Sequence, residues 1–86
     1  QDIGDWDTSN VTTMNYMFAG ASSFNQDIGD WNTANVTNTA GMFRNATSFN
    51  QDLSDWCVSN ISSQPYLFDA SATSWTLPRP VWGTCP

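Results

Sequence analysis

The residues able to do chemistry in this 86-residue chain are eight aspartates, two cysteines, five tryptophans and several asparagines. Six of the aspartates recur in step. Asp2, Asp27 and Asp52 make one column at a fixed interval, and Asp5, Asp30 and Asp55 make a second. Like charges stacked at the spacing of adjacent strands, about 4.8 Å, repel by roughly 0.9 kcal/mol per pair in bulk water, so something must offset them. A row of calcium ions could do so, because carboxylates and backbone carbonyls suit that hard cation. The alternative is that each Asp bonds its own backbone in an Asx-turn and faces solvent or a neighbour. The acids do not cluster at the spacing of a known calcium loop. The expectation is therefore no cofactor and no metal, with calcium at the Asp columns the one ion the pattern could take.

Catalytic machinery is sparse. There is no His and no Lys, so the usual general bases and activated nucleophiles are absent and an enzyme is not expected. Aspartates alone could form a glycosidase pair, but these recur in equivalent settings, whereas an acid and a base need environments that separate their pKa values. Trp6, Trp31 and Trp56 could stack against sugar rings. Their place beside apolar repeat positions favours a core ladder instead, together with Phe18, Phe43 and Phe68. The exposed contact face is then expected along Asp2, Asp27, Asp52 with Thr8 and Thr33. Asn10, Asn35, Asn60 and Asn45 each open an N-x-[ST] acceptor sequence. The first three occupy equivalent positions and fit an internal amide ladder closed to glycans, which leaves Asn45 the better acceptor.

Cys57 and Cys85 are too few for a zinc site without His. A disulfide is the economical reading and two free thiols the alternative. The bond would close a loop worth roughly 3–4 kcal/mol by the chain-entropy argument, and it would persist in oxidising compartments. The net charge of −6 argues against nucleic acid and anionic membranes, and favours a cationic partner. No run of 18 or more apolar residues and no signal-peptide pattern is present, so membrane insertion is not expected. The chain starts at Gln1, in phase with its repeat and without an initiator Met, which reads as a processed or excised piece of something longer.

These residues are positioned by internal repetition. Residues 1–25, 26–50 and 51–75 align without gaps, the first two sharing 16 of 25 positions. Units of this length cannot bury their apolar faces alone and stack on one another. The reading is an α/β repeat solenoid of three turns. Met14, Met17, Phe18 and Ala21 follow the spacing of one helix face, with Thr13, Asn38 and Ser63 as equivalent N-caps and Pro65 in the first helical turn. The Gln-Asp-Ile segment suits a three-residue parallel strand. Residues 76–86 break the pattern with Pro78, Pro80 and Pro86, and are expected to form a C-terminal cap in which Leu77, Val81 and Trp82 cover the last turn and Cys85 ties back to Cys57.

The pattern FNQDIGDWxTxNVTxxxxMFxxAxSF across Phe24 to Phe49 resembles the BspA-like leucine-rich-repeat surface proteins, including the related lipoprotein repeats of mycoplasmas. The resemblance spans residues 1–75 and implies a leucine-rich-repeat-like coil with short strands and helices in a secreted or surface-anchored array. Gln1, Gln26 and Gln51 depart from it, standing where such repeats place an aliphatic residue. The functional expectation is a non-catalytic extracellular or cell-surface module for adhesion or recognition of protein or glycan. The alternative is a subunit of a self-assembling extracellular fibre, whose partners are copies of itself in a homo-oligomer or longer array.

Overall fold

A computed structural model of the chain describes residues 3–86. Three layers, at residues 3–25, 26–50 and 51–75, lie one upon another, joined by backbone hydrogen bonds between residues about one repeat apart. The N–H groups of Met14, Tyr16, Phe18 and Gly20 donate to the carbonyls of Asn38, Ala40, Met42 and Arg44. Those of Gly41, Phe43 and Asn45 donate to Tyr66, Phe68 and Ala70.

The α/β solenoid with helices and strands is overturned, and with it the leucine-rich-repeat-like coil. Among the described residues there is no helix, and the only β-pairing is an isolated parallel bridge between Thr13 and Asn38. The reason lies in backbone handedness. Tyr16 and Gly20 take positive φ, as do Gly41 and Asn45, and Leu67 and Ser71. One left-handed residue every four breaks a right-handed helix and turns alternate peptide planes along the stack. The remaining N–H groups close tight local turns, such as Met17 to Met14, Ala19 to Tyr16 and Ala21 to Phe18. The expected caps Thr13, Asn38 and Ser63 therefore precede no helix. Left-handed Gly41 also has a packing role, because a Cβ there would run into the ring of Tyr16. The strand expectation fails for a different reason: the Ile3 N–H donates to the side-chain carbonyl of Gln26 (3.0 Å), so an amide replaces the backbone ladder. Gln1 and Asp2 lie outside the described residues.

The core runs through all three layers and includes Met14, Ile28, Trp31, Val36, Phe43, Phe49, Trp56, Phe68 and Trp75. Phe18, Phe43 and Phe24, Phe49 stack ring on ring at 5.6 and 5.7 Å, near the preferred offset separation of aromatic pairs. The third layer keeps this geometry only by slipping register. Local turns at Phe24–Ala21 and Phe49–Ala46 recur at Trp75–Ala72, one residue later than the repeat interval requires. Likewise Met17–Met14 and Met42–Thr39 recur at Phe68–Pro65. Earlier in the same layer, Trp56–Leu53 and Ile61–Val58 keep the interval. The surplus residue therefore falls between Ile61 and Pro65, where Ser62, Ser63 and Gln64 are exposed. Trp75 takes the place of Phe24 and Phe49. Phe68 meets Phe43 edge-on at 82° instead of stacking, which alters the expected Phe18, Phe43, Phe68 column.

The tail lies on the third layer. Leu53 N–H donates to the Pro78 carbonyl, Val58 N–H to Thr84, and Cys57 is disulfide-bonded to Cys85. Trp82 packs edge-on against Phe68 at 4.8 Å. Leu77 and Val81, expected to cover the core, are exposed. Arg79 replaces them as an anchor: its guanidinium bonds Asp69 (3.0 Å) and the Trp75 carbonyl, and lies 4.4 Å from the Trp75 ring centre.

Candidate functional site

The Asp-Trp segment of each layer closes one tight turn, with the N–H of Trp6, Trp31 and Trp56 returning to Ile3, Ile28 and Leu53. That turn holds the preceding aspartates on the surface while Trp31 and Trp56 point inward. Asp27, Asp30, Asp52 and Asp55 line a groove of about 240 Å³ together with Gly29, Gln51 and Leu77. Two layers supply the acids and the tail supplies Leu77. Asp5 is exposed outside this groove, and Asp2 lies outside the described residues.

Two of the groove carboxylates are committed to their own backbone. Asp27 Oδ1 accepts from Gly29 N–H (2.9 Å), and Asp52 Oδ1 accepts from both the N–H (2.9 Å) and hydroxyl (2.6 Å) of Ser54. These are Asx-turns. The Ser54 hydroxyl, then its N–H, holds the Asp52 carboxyl below its ordinary pKa of 3.8. Ser9 does the same for Asp7. Each such Asp spends one oxygen on the turn and presents the other to solvent. Among the described residues no group of three acidic side chains converges to hold a metal ion.

The tryptophans divide. Trp31 and Trp56 are buried, and their indole N–H groups donate to the carbonyls of Ile3 (3.1 Å) and Ile28 (2.9 Å) in the layer before. Trp6 is 50 % exposed, a correction to the core ladder, and its ring stacks on Trp31 at 6.3 Å. Thr8 and Thr33 are also corrected, since both are buried and donate to the carbonyls of Asn32 (3.1 Å) and Cys57 (2.9 Å). They join layers and offer nothing to a ligand. Asn35 and Asn60 donate their amides to the carbonyls of Ser9 (2.7 Å) and Ala34 (3.0 Å) from exposed positions, while Asn10 and Asn45 are exposed without a side-chain bond. The sequence pattern does not single out Arg79 and places Leu77 over the core instead of at the groove, because a non-repeating tail carries no pattern that places its side chains.

The family described as "Mycoplasma protein of unknown function, DUF285" matches residues 1–82. The chain belongs to this family. No curated protein and no solved structure matches it. No helix among the described residues is long and apolar enough to cross a membrane.

Proposed function

We propose that this member of the family is a non-catalytic extracellular surface module for adhesion or recognition of a protein or glycan, with the acidic groove as its contact face. The observation that carries the reading is the gathering of Asp27, Asp30, Asp52 and Asp55 around Gln51 and Leu77. Four carboxylates with an amide and one aliphatic chain suit a basic protein surface, whose lysines and arginines pair with the acids while their methylene stems lie on Leu77. The Cys57–Cys85 disulfide and the resemblance to BspA-like surface proteins support an extracellular setting. The test is binding of a lysine-rich peptide to the intact chain and to an Asp27→Asn/Asp30→Asn/Asp55→Asn variant across ionic strength. Binding that weakens with salt and drops at least about tenfold in the variant supports the groove; binding indifferent to both refutes it.

A second reading, a subunit of a self-assembling extracellular fibre, is favoured by the half-exposed Trp6 and by exposed Tyr16 and Met17 on the first layer. Assembly of the pure chain without any added ligand is its test.

A further inference from the structure

Basic side chains are scarce in this protein. Between Gln1 and Pro86 there are two, Arg44 and Arg79, and no Lys. Trypsin-class serine endoproteases cut after a basic residue, so these two positions hold the only bonds in this stretch that such enzymes recognise. Arg79 precedes Pro80, whose ring fixes φ and takes the place of the amide N–H on the leaving side, and that bond resists the cut. One bond is left, Arg44–Asn45, in the middle layer.

Side chains and backbone behave differently at this bond. Arg44 and Asn45 are exposed, so the guanidinium is free to enter an acidic specificity pocket. The backbone around it cannot follow. Such enzymes take several residues in extended form, paired as an added strand, and draw the scissile carbonyl oxygen between N–H donors. Here the Arg44 carbonyl already accepts the Gly20 N–H from the first layer (2.8 Å), and the Asn45 N–H donates to the Ala70 carbonyl of the third (2.8 Å). Asn45 is left-handed, with φ of 61°, and the N–H groups of Arg44 and Ala46 close tight turns onto Gly41 and Phe43. On either side Met42, Phe43 and Ala46 are fully buried.

Freeing the bond therefore takes more than a local fray. Extending the segment from Met42 to Ala46 would withdraw Phe43 from Phe18 (5.6 Å), Phe49 (4.3 Å) and Phe68 (5.4 Å), rings drawn from all three layers. It would also break the hydrogen bonds to the first and third layers. In a domain of this size those losses amount to cooperative unfolding itself. We propose that Arg44–Asn45 is a cryptic cleavage site for trypsin-class serine endoproteases, closed by the stack and opened when the layers separate. In the open chain water adds across the bond, its OH completing the Arg44 carboxyl and its hydrogen the Asn45 amine. One piece ends at Arg44 and the other starts at Asn45. The Cys57–Cys85 disulfide lies wholly in the second, and neither piece keeps the middle layer intact. The closure of this bond is independent of what the acidic groove binds.

The experiment is trypsin digestion of the full chain, read by mass spectrometry, in a urea series below the unfolding transition. A synthetic peptide spanning residues 38–51, digested at each urea concentration, supplies the rate for the open bond. The native chain is expected to be cut at Arg44–Asn45 at least about a hundredfold more slowly than the peptide. The logarithm of the ratio of the two rates should climb with urea at the slope m of equilibrium unfolding, because cleavage then samples the unfolded population. Phe43→Leu, which leaves the bond untouched, should speed the cut by the factor by which it raises the unfolding constant, and Arg44→Gln should abolish it. If Phe43→Leu unfolds the chain outright, cutting at the peptide's rate is expected, and slower cutting would overturn the stack as the cause of closure. A native rate within about a hundredfold of the peptide's, or a ratio indifferent to urea, means that the folded chain is cut and overturns the proposal. Cleavage that survives Arg44→Gln overturns the assignment of the site.

Discussion

Trp6 and Trp56 are identical in sequence context, Asp-Trp in each case, yet the structure assigns them different energies. Trp56 is fully buried and donates to the Ile28 carbonyl at 2.9 Å; Trp6 is 50 % exposed and its indole N–H bonds none of the described residues. Replacing Trp56 by Phe removes three ring atoms from a packed core and one hydrogen bond. The lost volume costs roughly 1 kcal/mol and the bond roughly another, since the Ile28 carbonyl keeps its bond from the Trp31 N–H and is not orphaned. The expected loss is thus about 2 kcal/mol. Trp6→Phe keeps the stacking surface on Trp31 and should cost less than about 0.5 kcal/mol. Urea unfolding monitored by the remaining tryptophans measures both. With an m-value of about 1–1.5 kcal/mol/M, Trp56→Phe should lower the midpoint by about 1.3–2 M at unchanged m, and Trp6→Phe by less than about 0.5 M. Equal shifts for the two variants would refute the claim that stacking depth, and not the repeat position, sets the energy.

Three further outcomes follow from particular contacts. Deleting Ser63, in the exposed segment that carries the surplus residue, should cost less than about 1 kcal/mol, whereas deleting Asn38 at the same place one layer earlier should abolish the cooperative transition, because Met14 N–H bonds its carbonyl. Arg79→Met should weaken the tail by about 1–2 kcal/mol, read as faster proteolysis near Arg79's neighbours Pro78 and Pro80, since it removes the bonds to Asp69 and the Trp75 carbonyl and the cation above the Trp75 ring. The Asp52 carboxyl is held below its ordinary pKa by the Ser54 hydroxyl and then its N–H, so its contribution is present above the ordinary carboxylate pKa and lost as pH falls through the lower folded value; Asp52→Ala should therefore be less stable than wild type near neutral pH, and the gap should narrow as the solution is acidified below that range. A gap that persists or widens in acid would contradict the assignment.

The positions that recur could be read in advance, because burial of Ile28, Trp31, Val36 and Phe43 follows from apolar type at a constant interval. The pairing of Cys57 with Cys85 was likewise the economical reading of two cysteines. The helix was misread. Met14, Met17, Phe18 and Ala21 have helical spacing, but spacing reports which residues face the core and not the handedness of the backbone between them. Tyr16, Leu67 and Ser71 are neither glycine nor asparagine, so nothing in their side chains announces positive φ, and only Asn45 is of a type that favours it. Thr8 and Thr33 were misplaced for a similar reason: a hydroxyl that bonds a carbonyl in the next layer is as well satisfied inside as out.

The one-residue slip shows where local information stops. An ungapped alignment sets Phe68 beside Phe43, and side-chain type agrees. The backbone sets Asp69 there, because only that register brings Trp75 onto Phe49 and leaves Asp69 free to meet Arg79. The chain's own order of residues determined that there would be a stack, which residues would recur within it, and that its surface would be acidic. Tertiary structure decided the register, the absence of helix and strand among the described residues, and which four aspartates share a groove, since each of these depends on bonds between residues about one repeat apart and on no property of a single segment.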